Sequence, residues 1–551
     1  MAQVAHLRLV VLAMFFTAAV LIVIVRLGYL AAFAEPVTTR DGAAALMPLR
    51  ADIVDRNGAP LARTIDAWSV GVQPGNVIGN KPQLAEALSA IFPEHDSYWF
   101  LNRLKAERPF VYRARRALPA QVTRVNELGE PGIRFGREPE RLYPQSSMAA
   151  HALGFLDIDG HGQRGMERYL EGRLMDPVER GTPVALSLDS RVQAAMESEL
   201  SHAMVSMEAK GAAGLILDVD TGEIVAMASL PVFNPNNVKG ASDDSLRNNV
   251  TQSVYELGST FKPITMAVAI DSGVVTSMSQ RFDATAPIQV GRFSIKDDHP
   301  QRRFLNISET LVHSSNIATA RIADAIGPDR LQTMFRALAF DTKPDIEIRE
   351  KQRPLWPHYW ARTTTMTTAY GHGIAVTPLH LASAYATLVN GGIWRPATML
   401  KVEPGRAVKG RRVIKQSTSD RMRQLLRLIV LQGTGKKGEA PGYRVGGKTG
   451  TAEVPGKGGY NKSANVSTFA SAFPMDRPRY VVIAMLDSPK RVTANSFQTT
   501  AAYTAAPVVS RVIMRTGAML GVMPDANRDV DVSELMPLLW HAPGENAADP
   551  E

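Results

Sequence analysis

The sequence predicts an α+β, multidomain chain: an N-terminal membrane helix, an extended α/β module, and a larger domain of strands and helices. Three observations carry that expectation. The chain has 551 residues, too many for one ordinary hydrophobic core, so two or more domains are needed. No residue from Leu9 to Val25 is charged, which reads as a membrane span at the short end of the usual length. Beyond it, apolar strand-like and helix-like runs are punctuated by glycine, proline and asparagine along the whole chain.

Leu27 to Phe33 lengthens the first apolar run if Arg26 snorkels to the interface. The anchor is therefore placed at residues 9–33, with 1–8 as a cytoplasmic N-terminus. A cleaved signal peptide is the rival reading. The run is longer than the apolar region of such a peptide, and Leu30-Ala31-Ala32-Phe33-Ala34 gives only a loose cleavage site. Arg8, Arg26 and Arg40 are the flanking basic residues, too few for charge counting to orient the span. No second run of this length follows, so nearly all of the chain is expected on one side of the membrane. The 62 basic and 53 acidic residues leave a net charge of +9 with no long lysine or arginine block, which gives nucleic-acid binding little support. Cysteine is absent, so disulfides, thiol catalysis and cysteine metal sites are excluded.

Residues 36–205 read as a mixed α/β module without a catalytic constellation. Asn57-Gly58 is a turn signal between two strand-like pieces, Arg50 to Asp55 and Ala59 to Ala62. Gln83 to Ile91, Tyr98 to Ala106 and Met148 to Leu153 read as helices, and Arg113 to Arg116 is a basic segment. The glycine-punctuated loop Gly160 to Tyr169 lacks the form of a phosphate-binding loop. His151 and His161 have no neighbours at metal-ligand spacing, so both are read as structural, and no metal or cofactor is called for.

Residues 206–523 hold three polar motifs. Gly214 to Val219 and Glu223 to Ser229 flank Asp220-Thr221-Gly222, a hairpin. Gly258-Ser259-Thr260-Phe261-Lys262-Pro263 then leads into an apolar helical run, and proline is tolerated in a helix's first turn. Ser259 is expected at or just before the helix start, with Lys262 one turn on and on the same face. A hydroxyl is a poor nucleophile until something takes its proton, and a desolvated amine near other cations can be neutral enough to do so. Backbone N–H groups at a helix start can also hold an oxyanion. S-x-x-K is a weak pattern, but it occurs only once in the chain. The second motif is Ser314-Ser315-Asn316, where Ser314 can relay a proton beside Lys262 and Asn316 can hold substrate or the lysine. The third is Gly447-Lys448-Thr449-Gly450-Thr451, a glycine-flanked strand whose cation and hydroxyls suit a carboxylate and whose edge can pair with an extended peptide. Strands at Thr468 to Phe473 and Tyr480 to Leu486 and a helix at Ala502 to Met514 close the domain, and the tail 524–551 reads as polar and loose.

The three motifs in this order are the known set of β-lactamases and penicillin-binding proteins, and on them the chain resembles the class B penicillin-binding proteins. Asp55-Arg56-Asn57-Gly58, Arg141-Leu142-Tyr143-Pro144 and Gly162 to Glu167 resemble that family's N-terminal signatures. Ala51 and Leu257 stand where the family usually has glycine and proline. Gly154 to Gly160 is most similar to the division-specific (FtsI-type) branch. The resemblance implies a pedestal domain and a transpeptidase domain with a five-stranded antiparallel sheet flanked by helices. It implies wall cross-linking in which Ser259 attacks a D-Ala-D-Ala carbonyl, Lys262 is its base, Ser314 relays the proton and Asn316 positions substrate. Lys448, Thr449 and Thr451 would bind the carboxylate, with Gly450 between them, and the N–H groups of Ser259 and Thr451 would form the oxyanion hole. β-Lactams would acylate the same serine. The implied setting is the inner membrane with a periplasmic catalytic domain, beside divisome proteins that include a lipid II-polymerising glycosyltransferase (FtsW type).

Other readings stay open. A β-lactamase would need a deacylating glutamate, and no E-x-x-L-N stretch supplies one. An elongation-specific transpeptidase or a D,D-carboxypeptidase shares the motifs. A β-lactam sensor would be expected to carry several membrane spans, and a divisome scaffold would not require intact motifs.

Overall fold

The computed structural model describes residues 2–33, 50–106, 111–117, 119–291, 293–456 and 459–540. They form two compact units, residues 1–49 and 50–551. The described residues of the first form one helix, Ala2–Phe33, 32 residues long. Its side chains from Val10 to Val25 are apolar apart from Thr17 and exposed on every face. Among the described residues no helix is long and apolar enough to cross a membrane. The anchor expected at 9–33 is corrected to that extent. The uncharged run, residues 9–25, would rise roughly 25 Å, short of a hydrocarbon core of about 30 Å.

In the second unit, residues 50–205 build a sheet of Ile53–Val54, Pro60–Val72, Val111–Ala117, Ile133–Leu142 and Val184–Ala185. Gly58, at a positive φ, turns the chain between the first two strands. Helices Lys81–Ile91 and Ser97–Leu104 pack on it around Leu88, Phe92 and Phe100. The run 148–153 is helical only over Ala150–Leu153, because Ala149 is left-handed. At the base of this module Glu167, fully buried, receives Arg50 at 2.8 Å and Arg141 at 2.7 Å, while Tyr143 donates to it at 3.3 Å. Asp55 accepts from the backbone N–H groups of Asn57 and Ala59 and from the Ser190 hydroxyl at 2.7 Å. Arg50, Asp55 and Arg141 are therefore spent inside the fold. His151 is likewise buried, with Nε2 2.8 Å from the Ser245 carbonyl, and burial pulls it down to about 4.

The rest of this unit is built on an antiparallel sheet of five strands, in the order Gly446–Gly456, Gly459–Phe473, Tyr480–Asp487, Gly211–Asp218 and Ile224–Leu230. Side chains alternate in a strand, and here both faces are covered. Val482, Ala484 and Leu486 meet helices Ser190–Ser206 and Ala505–Thr516, while Val481, Ile483 and Met485 join the core that holds the lysine helix. That two-sided burial explains the continuous apolar runs at 211–218 and 480–487. Helix Ser190–Ser206 precedes the expected boundary at 205 yet packs on this sheet.

The tail departs from expectation. Residues 524–540 are not loose: Leu535 is fully buried, Arg427 Nε donates to Asp529 at 2.7 Å, and Asn306 Nδ2 donates to the Leu538 carbonyl at 2.6 Å. The apolar residues of this stretch, sparse in a polar run, join the core cluster that also holds Leu311 and Met422. Residues 541–551 of the tail lie outside the described residues.

Candidate active site

Ser259 lies in a short 3-10 turn, Gly258–Phe261, and the α-helix proper is Lys262–Asp271 with Pro263 in its first turn. The turn is locked from below. Thr260 donates its hydroxyl to the Leu257 carbonyl at 2.9 Å, and buried Tyr385 donates to the Thr260 carbonyl at 2.9 Å. Phe261 packs edge-on to Phe335 with ring centroids 5.7 Å apart. Ser259 itself is half-buried.

Lys262 is fully buried because the helix it starts is apolar and enclosed. Its Nζ donates to the Ser314 carbonyl, to Ser314 Oγ at 3.1 Å and to Asn316 Oδ1 at 2.7 Å. The structure thus brings Lys262, Ser314 and Asn316 together, with Ser259 one turn before the lysine. Burial pulls the ammonium down to about 7, opposed by the charges of Asp297 and Asp298. Near neutral pH a large share of this lysine is the free amine.

The glycine-flanked motif lies on the edge strand Gly446–Gly456, so its outer side is free for a further strand. It runs against the serine turn. A side chain at Gly450 would meet the Leu257 carbonyl at 2.3 Å, so only glycine allows this approach. Lys448 is fully buried, and its Nζ donates to the Thr449 carbonyl at 2.9 Å. Its pKa lies well below the ordinary lysine range, first through burial and then through the charge of Lys262. Thr449 Oγ1 donates to Thr434 at 2.7 Å, and Thr451 Oγ1 accepts the backbone N–H of Ala501 at 3.0 Å. The expectation of a fixed cation at Lys448 is refined accordingly. Two buried amines close enough to feel each other resist joint protonation, and an incoming carboxylate would draw the proton back.

The sequence reading missed several residues here. Asp297 accepts from Ser315 and from two backbone N–H groups of the serine–asparagine turn. Glu256 accepts from Tyr460 at 2.9 Å and from the backbone N–H of Gly373 at 3.1 Å, with His372 Nδ1 3.3 Å away. Thr434 reaches Lys448 and Thr449 from a loop. None carries a motif of its own. Among the described residues no group of His, Asp and Glu could hold a metal ion.

A buried lysine of lowered pKa, the turn that carries the half-buried Ser259 and an edge strand are brought together here. Comparison with known proteins decides the family. The penicillin binding protein transpeptidase domain matches residues 212–513, and the penicillin-binding protein dimerisation domain matches residues 45–175. This chain belongs to the class B penicillin-binding proteins. Within the class B penicillin-binding proteins it is similar to the probable peptidoglycan D,D-transpeptidase FtsI of Caulobacter vibrioides, 41% identical over 489 residues, covering 86% of this chain and 82% of that one. It is 28% identical over 520 residues to FtsI of Escherichia coli, covering 88% and 86%. A solved structure of a Mycobacterium penicillin-binding protein 3 complexed with aztreonam superposes with a TM-score of 0.68 at 25% identity, covering 87% of this chain and 97% of the other.

Proposed function

We propose that this class B penicillin-binding protein is a serine D,D-transpeptidase that cross-links peptidoglycan stem peptides during septal wall synthesis. One observation carries the reading: a fully buried lysine, one turn beyond Ser259, held at 7 or so by burial and bonded to Ser314 and Asn316. Such an amine can take the Ser259 proton as the hydroxyl attacks the penultimate D-alanine carbonyl. The proton passes by Ser314 Oγ to the departing D-alanine amine, and the acyl-enzyme remains. A second stem's amine then attacks, and its proton returns along the same path. Asn316 anchors the lysine and lies where it can meet the substrate amide. Lys448, Thr449 and Thr451 take the terminal carboxylate, and the N–H groups of Ser259 and Thr451 face the oxyanion. The stem peptide pairs with the free edge Gly446–Gly456. β-Lactams acylate the same serine.

The septal role rests on the similarity to proteins named FtsI. Membrane attachment through residues 9–33 rests on a helix whose apolar side chains are exposed all round, a surface suited to lipid and not to water. In this reading residues 36–205 form the pedestal, residues 206–523 the transpeptidase domain facing the periplasm, and the partner is a lipid II-polymerising glycosyltransferase of the FtsW type.

Peptide mapping of a penicillin adduct tests the chemistry. The adduct is expected on Ser259 and absent in Ser259→Ala. An adduct on Ser314 would overturn the assignment.

A further inference from the structure

Ser314 sits at φ +57, a left-handed conformation that a serine adopts only at a cost. That conformation turns both its carbonyl and its hydroxyl to Lys262. Something must hold it, and the holding group comes from elsewhere in the chain. Asp297, buried just after the strand Phe293–Ile295, spends one carboxylate oxygen on the backbone N–H groups of Asn316 at 2.6 Å and Ile317 at 2.9 Å. The other accepts the Ser315 hydroxyl at 2.7 Å, and Ser315 in turn caps the helix by accepting from Ala318 at 3.0 Å. Next to it, the Lys296 carbonyl accepts Asn316 Nδ2 at 2.9 Å, which leaves Oδ1 aimed at the lysine.

We propose that Asp297 is a positioning residue for acylation: its carboxylate fixes the Ser314-Ser315-Asn316 turn on Lys262 and sets the charge beside the site of proton transfer. The proposal rests on the reading of Lys262 as the base. No bond to substrate is involved. Asp297 acts through the turn, by four donors satisfied at one carboxylate or its immediate neighbour, and through its field.

The charges that reach Lys262 are Asp297 and Asp298, which favour its protonation, while the charge of Lys262 itself helps to hold Lys448 down. Ionisable groups on the helices packed against it are engaged elsewhere. Glu309 is bound by Arg303, Arg427 by Glu439 and Asp529, and His380 by Thr377. Arg321 and Asp324 face Asp283 and Arg362, and Arg336 stacks on Trp356.

Asp297→Asn separates charge from shape, since an amide can still accept from both N–H groups while its own N–H donates to Ser315. The full-length protein is acylated with a fluorescent penicillin across pH, and the rate constant is read separately from the labelled fraction. In the wild type the rate rises with pH through the lysine's titration. In Asp297→Asn the ammonium loses a stabilising charge, so the rising limb is expected to move to lower pH by about one unit. Asp297→Ala, which also frees the turn, is expected to slow acylation roughly 10- to 100-fold at the plateau, and Asp297→Glu to restore the limb toward its wild-type position. A limb that stays in place in Asp297→Asn reduces the residue to a helix cap and overturns the proposal, whatever the rate of the alanine variant. If Asp297→Ala does not fold, the asparagine variant still decides. Normal labelling of Lys262→Ala would fail differently: it would remove the lysine as base and, with it, this role for Asp297.

Discussion

Lys262 is where this protein departs most from an ordinary globular surface. Its burial lowers the amine to about 7 against the pull of two aspartates. The sign follows directly. The base is the free amine, so acylation is slow below that value and rises as pH passes through it. The rate with a fluorescent penicillin is expected to climb about tenfold for each unit on the acid side and to level off above pH 8 or so. A profile flat from pH 5 to 9 would exclude this lysine as the base. Lys262→Ala is expected to leave a folded protein by circular dichroism but to abolish labelling. Thr449→Val keeps shape and removes a hydroxyl that bonds Thr434 and Lys448. It is expected to slow acylation by carboxylate-bearing substrates by 10-fold or so, about 1.4 kcal/mol, and to spare an amidated analogue. Equal slowing of both would mean a packing defect.

At the scale of elements, the site is an approach between pieces that have no bond in common along the chain. The edge strand Gly446–Gly456 reaches the serine turn only because Gly450 has no side chain. Gly450→Ala would press a methyl group onto the Leu257 carbonyl backbone, which cannot swing away, so the strand must retreat. Acylation is expected to fall roughly 100-fold with little change in the far-ultraviolet spectrum, and near-normal labelling would show that the strand accommodates it. The C-terminal stretch works similarly from the other side. Leu535 is fully buried, and the Trp540 backbone N–H donates to Glu309 at 3.0 Å, on the helix leading to Ser314. Leu535→Ala is expected to cost about 2–5 kcal/mol of stability, measured by denaturant titration. No measurable loss would mean that this segment is not docked.

At the scale of the whole molecule, Glu167 ties the module at 50–205 together by receiving two buried arginines. Removing the carboxylate leaves Arg141 buried without an ion-pair partner and Arg50 with Glu171 alone, at 2.7 Å, so Glu167→Ala is expected to destabilise the protein by about 3–5 kcal/mol. Acylation by the folded fraction at low temperature should remain near wild type, because the network makes no contact with Lys262 or Ser314. The proposed anchor is tested in cells. A chain begun near residue 38 and exported by a cleavable signal is expected to bind penicillin yet fail to support septation in a depleted strain. Full complementation would show the anchor to be dispensable.

The sequence by itself determined the chemistry and most of the elements. S-x-x-K, Ser314-Ser315-Asn316 and Lys448-Thr449-Gly450-Thr451 are local strings, and the hairpin at 211–230 is legible as two apolar runs broken by Asp220-Thr221-Gly222 because both of its strands are buried on both faces. Tertiary structure alone decided the rest. Asp297, Glu256 and Tyr460 are ordinary residues in loops and at a hairpin, meaningful only once the fold sets them against the motifs. The docking of 524–540 was hidden because a few apolar residues in a polar run bury themselves on a surface made far away in sequence. The state of the two lysines is decided the same way. A sequence names an amine, but whether it carries its proton depends on how much water the fold removes and which charges it brings near.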